Sequence, residues 1–443
     1  MLRGEACVRT GIKNFRYWSL AAAGSALLLT GNGAWAADEI FTARSAITLP
    51  GVQKITSFDL SFVDPVIGLY LLADRTNKAV DIIDTYTNDV LVQLGQGKFV
   101  GLATTCASSN VNRCSGPNGV LTVGHREIWA GDGDSTIKVI DLFSQQITHT
   151  IPTGGTLRTN EGCYDPRDHL FLTGNSGDLT LSPPLFPFLS LVSTDNYSIL
   201  QTIVMNGTKA PGGGVNTPKA TNDIDACQWD RRTGKFYVNI PEVNGPGDDS
   251  VAGAVVVISP KPETFGKIVA VWTIPAGQCL GPQGMAVGPD HQILLGCNDP
   301  TQTVPSTVII DDRTGKVIET LPNEDGADQV WYNEGDGQYF LARGGGANPQ
   351  KLGIVDIDAD PGPLDQDVAT GLPNTPATPH GTAHSVAADP IFNQRYVPIP
   401  STAGGAVCSN AGGSDAQGCI AVFTAAHDDP PIPLGHKKTI AER

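Results

Sequence analysis

One short phrase recurs seven times along this 443-residue chain, each time with a polar residue at the same point. It first reads Phe58-Asp59-Leu60-Ser61-Phe62-Val63-Asp64. Copies follow at Pro117–Val123, Asn160–Asp165, Ile224–Asp230, Pro282–Val287, Ala327–Asn333 and Ala383–Asp389. After each comes a turn and a β-rich run, such as Leu69-Tyr70-Leu71-Leu72, Phe236-Tyr237-Val238 or Arg395-Tyr396-Val397. A β-branched run often ending in Asp comes third, as in Val80-Asp81-Ile82-Ile83-Asp84 and Thr307-Val308-Ile309-Ile310-Asp311. Val317–Leu321 exemplifies a fourth. Four strands, A to D, in seven repeats of roughly 45–65 residues predict an all-β, seven-bladed β-propeller with four-stranded blades. The seventh repeat has A, B and C (Ile420–Phe423) but no D, while Ala43–Leu49 precedes the first repeat with no blade of its own. The N-terminal strand is therefore expected to complete the last blade and close the ring, leaving few unpaired edges.

The ends lie outside that pattern. Arg3, Arg9, Lys13 and Arg16 precede a short apolar core, Ser19–Leu29, and Ala34-Trp35-Ala36 offers a small-x-small cleavage site. Residues 1–36 read as a cleaved signal peptide, 37–428 as one propeller and 429–443 as a polar tail. The apolar core is too short to span a bilayer. The expected mature protein is a periplasmic or secreted monomer. Loss of four basic residues and one acid takes the net charge from −16 to −19. Such a protein repels nucleic acid and anionic membranes, and no basic stripe opposes that.

Cys7 leaves with the signal, and eight cysteines remain, an even set suited to an oxidising compartment. Short loops predict the bridges Cys106–Cys114 and Cys408–Cys419, and a shared blade end predicts Cys279–Cys297. Cys163 and Cys227 occupy matching places in adjacent repeats, and spacing leaves their pairing open. No CxxC, CxxCH or Cys/His zinc spacing occurs.

Long segments fall in D–A or B–C connections, among them Gly101–Gly116, Gly174–Phe188, Asn206–Thr221, Pro241–Gly253 and Ser401–Gly418. In a propeller both classes emerge on one face, where loops on a rigid scaffold commonly carry function. The polar positions, Asp59, Asn118, Glu161, Asp225, Gln283, Asp328 and His384, start strand A at the mouth of the central channel on that face. Four carboxylates this close require neutralisation by a cation or by shared protons. Oxygen donors favour Ca²⁺ or Mg²⁺, whereas His384 and nearby His380 admit Zn²⁺, Mn²⁺ or Fe²⁺. A water-lined channel, a structural cation and a functional cation all remain open on these grounds.

The Pro-x-Gly-Val opening of strand A and the Val-x-Ile-Asp of strand C resemble the YVTN-type seven-bladed propellers across the mature chain. Glu161-Gly162 and Asn118-Gly119 are similar in part to motifs of the gluconolactonase and senescence-marker propellers, although Cys163 stands where those have Pro. That resemblance implies a divalent cation held by Glu161, Asn118 and an Asp, either Asp225 or Asp328, with Asp59 at the same mouth. Asp225, Asp328 and His384 would be the acid–base groups of a metal-assisted hydrolase or lyase acting on a small oxygenated ligand. The alternative is a non-catalytic propeller that holds a protein, peptide or glycan. It would use Trp229, Trp331, Phe186, Phe188 and the loop Ser182-Pro183-Pro184. No G-x-S-x-G elbow, Walker or dinucleotide-binding glycine pattern appears in a strand-then-helix context.

Overall fold

A computed structural model describes residues 40–50, 54–108, 110–261, 266–299, 304, 306–322, 324–344, 350–357, 364–373 and 382–426. The segments expected to be a signal peptide (1–36) and a polar tail (429–443), and His380, lie outside these residues. The described chain forms seven four-stranded antiparallel sheets, each built from consecutive strands except the last. Among the described residues, helix is confined to two single turns, Val111–Cys114 and Val407–Asn410. The A strands are Ser61–Asp64, Val120–Val123, Thr159–Asp165, Cys227–Asp230, Pro282–Val287, Ala327–Asn333 and Ala387–Asp389. Each packs against the next, and the seventh packs against the first.

The seventh blade contains Ala387–Asp389, Gln394–Ile399, Cys419–Ala425 and, as its outer strand, Phe41–Ile47. The register runs antiparallel from Phe41 opposite Ala425 to Ile47 opposite Ile420, with a shift between Ala43 and Ser45. Arg395 is fully buried beside this join. Its guanidinium lies 4.6 Å from the Phe41 ring centre and 4.7 Å from that of Phe340 in blade 6, and it pairs with Asp336. One cation thus links the N-terminal strand, blade 7 and blade 6.

The recurring Asp residues have a local cause. Asp64, Asp165, Asp230 and Asp389 end the A strands and accept from the backbone N–H two residues on, at 3.0, 2.9, 2.9 and 2.7 Å. Asp84 and Asp311 do the same after strand C. These are Asx turns, which fix the reversal without demanding a particular neighbour. Apolar side chains meet chiefly between blades: Leu69, Leu71 and Ile82 of blade 1 pack with Val120, Ile128 and Ile140 of blade 2. Each such fully buried Leu, Ile or Val stabilises by about 1.5–3 kcal/mol relative to exposure.

The three expected disulfides are present, Cys106–Cys114, Cys279–Cys297 and Cys408–Cys419. The pairing that spacing left open is also made: Cys163 and Cys227 are joined, with Cα atoms 5.4 Å apart. This bridge ties the A strands of blades 3 and 4 two residues beyond Glu161 and Asp225. Replacing both cysteines with Ala should cost about 4 kcal/mol, as expected for a closed loop of this length. Urea denaturation of the double variant against the parent checks that figure.

Candidate functional site

Six of the seven ring residues line one cavity of 480 Å³ at the start of the A strands: Asp59, Glu161, Asp225, Gln283, Asp328 and His384. Register shifts fall between Thr159 and Gly162, Pro282 and Met285, and Ala327 and Val330. Glu161, Gln283 and Asp328 therefore each sit in a β-bulge, a device that re-aims a side chain out of the ladder. The small residue after the polar position has a packing cause. A Cβ on Gly119 would lie 2.7 Å from the Glu161 Cα, and one on Gly284 would overlap the Asp328 carbonyl. Gly119, the second residue of Asn118-Gly119, is thus required by close strand packing, whatever else the pair does.

Asn118, the seventh ring residue, is withdrawn. It is fully buried, accepts at 2.5 Å from Arg75 and donates at 2.7 Å to the Thr159 carbonyl. Both ends of its amide are committed.

Three arginines enter the cavity that strand-A patterning did not reveal. Arg75 follows the B strand Leu69–Asp74, and the Asp59 N–H bonds the Ala73 carbonyl across that hairpin. The Arg75 guanidinium thereby reaches Asp59 at 2.5 Å. Arg158, just before the A strand of blade 3, lies 3.3 Å from Asp223, 3.9 Å from Asp225 and 3.9 Å from Asp59. Arg113 comes from the long loop between blades 1 and 2, held by Cys106–Cys114. It bonds Asn222, stands 3.9 Å from Asp223, and its carbonyl accepts from the Arg158 N–H at 2.7 Å. Asn222 in turn donates to Asp249 at 2.7 Å. The elaborated face thus supplies a polar collar above the ring, and Phe58 is the one apolar side chain among the described lining residues.

The charges separate into two groups. Burial pushes Asp59 up, but Arg75, His384 and Arg158 outweigh it and bring its carboxyl to about 2. Burial alone would depress the His384 imidazole; its approach to Asp59, 3.7 Å from Nε2 to Oδ1, and the field of Asp328 raise it instead. Glu161 is pushed well above the usual carboxylate range by burial and by repulsion from Asp225 and Asp328. Burial and Asp223 do the same to Asp225, and burial raises Asp328. Asp249 is pushed up to about 6 by burial, with Glu242 adding repulsion.

These shifts predict an unusual pH response. Asp249, at about 6, and buried Glu324, raised to about 7, bind protons more tightly folded than unfolded. Their contribution is full below the unfolded carboxylate pKa and is lost as pH rises through 6 to 7; raised His384 acts in the same sense. Asp59 acts oppositely, its contribution being lost only as pH falls below the ordinary range toward 2. Stability at pH 5 should exceed that at pH 8 by on the order of 3 kcal/mol. Urea midpoints at the two values test this, and equal midpoints would contradict it.

The cation site implied by resemblance can be compared with this donor set. Asn118 is committed to Arg75 and Thr159, and Asp59 is paired with Arg75. The four residues Glu161, Asn118, Asp225 and Asp59 therefore do not present themselves jointly to an ion. Among the described residues no three Asp, Glu, His or Cys side chains gather closely enough to hold a metal.

The groups named for partner capture separate as well. Pro183 and Pro184 are exposed, Phe186 is half-buried with the Lys219 ammonium 5.9 Å from its ring, and Phe188 is buried in a strand. Trp229 and Trp331 lie toward the other end of the ring, beside a second cavity.

No protein-family model matches the chain, nor does any curated protein sequence. A chain in the crystal structure of the mitotic checkpoint complex superposes with a TM-score of 0.53 at 12% identity, covering 94% of this chain and 99% of that one. The class defined here is the seven-bladed β-propeller. Four disulfides accord with folding in an oxidising compartment, and no helix among the described residues is long and apolar enough to cross a membrane.

Proposed function

We propose that this chain is an exported propeller whose channel mouth binds a small, hydroxyl-rich ligand and acts on it as an acid–base hydrolase or lyase. The observation that carries this is the split charge set around one cavity: ionised Asp59 beside raised Glu161, Asp225 and Asp328, with Arg75 and Arg158 between them. Paired groups driven apart in pKa are the means by which one site holds both an acid and a base. An almost wholly polar lining favours a ligand rich in hydrogen-bonding groups over an apolar one.

For a lactone or ester, Asp328, raised less far than Glu161 and Asp225, is the ionised base that takes a proton from water as that water attacks the carbonyl carbon. The guanidinium of Arg158 or Arg75 faces the developing oxyanion, and protonated Asp225 or Glu161 gives its proton to the departing oxygen. Asp59 holds His384 and Arg75 in place as an ionised partner. The YVTN-type likeness of the repeats belongs to this reading, as do the periplasmic or secreted location and the monomer. Sugar lactones and hydroxy-acid esters, assayed by acid release, test it; tight binding without turnover would instead favour a non-catalytic carrier of such ligands.

A second reading places a divalent cation at the mouth on no more than two of Glu161, Asp225 and Asp328, the remaining donors being ligand or water oxygens, because these acids repel one another and a cation would relieve that repulsion. Elemental analysis of protein purified without chelator decides it. About one equivalent of metal, lost in Glu161→Gln, supports it, and metal-free protein with full activity removes it.

A further inference from the structure

The opposite end of the ring encloses a second cavity, of 540 Å³, formed by the far halves of the A strands and the A–B turns. Its chemistry is unlike that of the mouth. Phe62, Tyr164, Trp229, Trp331 and Tyr332 line it, all only partly buried although they belong to innermost strands. Phe62 and Trp331 meet edge to face, with ring centres 5.6 Å apart, across the join of blades 1 and 6 around blade 7. The Trp229 indole N–H is buried with no acceptor. At the rim, Val66 is 71% exposed, and Ile391, which follows the lining residue Pro390 in sequence, is 62% exposed.

The acids that lend this chamber negative charge are Asp64 and the exposed Glu334, set against His125; Glu161, held above the usual carboxylate range, adds none while protonated. Asp64 accepts from Thr122 at 2.6 Å and stands 2.7 Å from His125 Nδ1, so that imidazole is engaged. Glu161 lines both cavities and stands between them. Aromatic faces together with an excess of carboxylates are the two features that attract an organic cation, through the ring quadrupole and through charge. The volume lies within the range of small-molecule sites.

We infer that this chamber is a binding site for a flat organic cation of one or two rings, separate from the polar mouth. The inference stands on the aromatic lining and its acids, and holds whether or not the mouth is catalytic. An anionic ligand of the same shape meets like charge here, and a strongly hydrated ligand gains little from the aromatic walls.

Calorimetric titration of the mature protein with N-methylquinolinium and with naphthalene-2-sulfonate tests this. The cation should bind at one site and at least tenfold more tightly than the sulfonate. Trp331→Ala should weaken the cation at least tenfold. Because Trp331 also packs between blades, Val66→Lys provides a second variant at an exposed rim position; it should weaken the cation several-fold without unfolding. Asp249→Asn, at the mouth alone, should leave cation binding unchanged. Equal binding of the two probes, no binding, or full binding in both chamber variants would overturn the assignment. So would sedimentation as a dimer that Val66→Lys dissolves, since a second copy would then cover the chamber.

Discussion

Asp225→Asn and Glu161→Gln are each expected to lower turnover of a hydroxyl-rich lactone or ester by about 10²–10⁴-fold, with the folded state retained. The amide keeps the shape of the protonated carboxyl but has no proton to give at the departing oxygen. Both acids are held above the ordinary carboxylate range by burial and by neighbouring acids, so an amide replaces a group that is already neutral when protonated and cannot acquire the repelling charge as pH rises. Thermal midpoints should accordingly stay level or rise while kcat falls. A merely structural role predicts the reverse pairing, with lost stability and unchanged turnover. The two measurements on one preparation separate these outcomes.

Arg395→Ala should destabilise the protein by about 5 kcal/mol, the largest single effect expected outside the mouth. The side chain is fully buried, so its removal strands the Asp336 carboxylate and also opens a gap between the rings of Phe41 and Phe340. Phe41 belongs to the strand that completes blade 7, and its loosening frees the N-terminal strand from Cys419–Ala425. Hydrogen exchange should show early loss of protection over 41–47 and 419–425, before the other blades. Uniform loss across all seven blades would mean that Arg395 serves the general core instead.

The repeat pattern made the architecture legible because strand A, its following turn and the Asp that closes it are local signals. Each Asp bonds the backbone two residues on, so its recurrence marks turn positions even where the rest of the phrase drifts. The missing fourth strand of the seventh repeat pointed to Ala43–Leu49, and the strand that fills the place is Phe41–Ile47, two residues earlier. The ring of polar residues was legible in outline, since six of seven converge on one cavity. Asn118 departs because Arg75 and the Thr159 carbonyl claim it, and neither contact has a sequence period.

The arginines were harder to see for a physical reason. Arg75 sits at the end of strand B, Arg158 in the residue before strand A and Arg113 in a disulfide-held loop. They occupy different repeat positions in three places and converge only through the ring. A signal existed for Arg75: an antiparallel hairpin places the end of strand B opposite the start of strand A, so a lone Arg there faces Asp59. The Trp residues of strand A mark the opposite limit. Periodicity puts them on an inner strand but cannot say which end of the channel they line.

An acid–base mouth requires carboxyl groups held above the ordinary carboxylate range beside an ionised Asp59. Carbon-13 magnetic resonance of Asp- and Glu-labelled protein, titrated from pH 3 to 9, tests it most directly. The expected result is side-chain carboxyl signals that titrate well above the ordinary carboxylate range, one disappearing in Glu161→Gln and another in Asp225→Asn, while the Asp59 signal stays ionised throughout. If all mouth carboxyls instead titrate together below pH 5, the site is an ordinary solvated ring of acids and the acid–base reading fails.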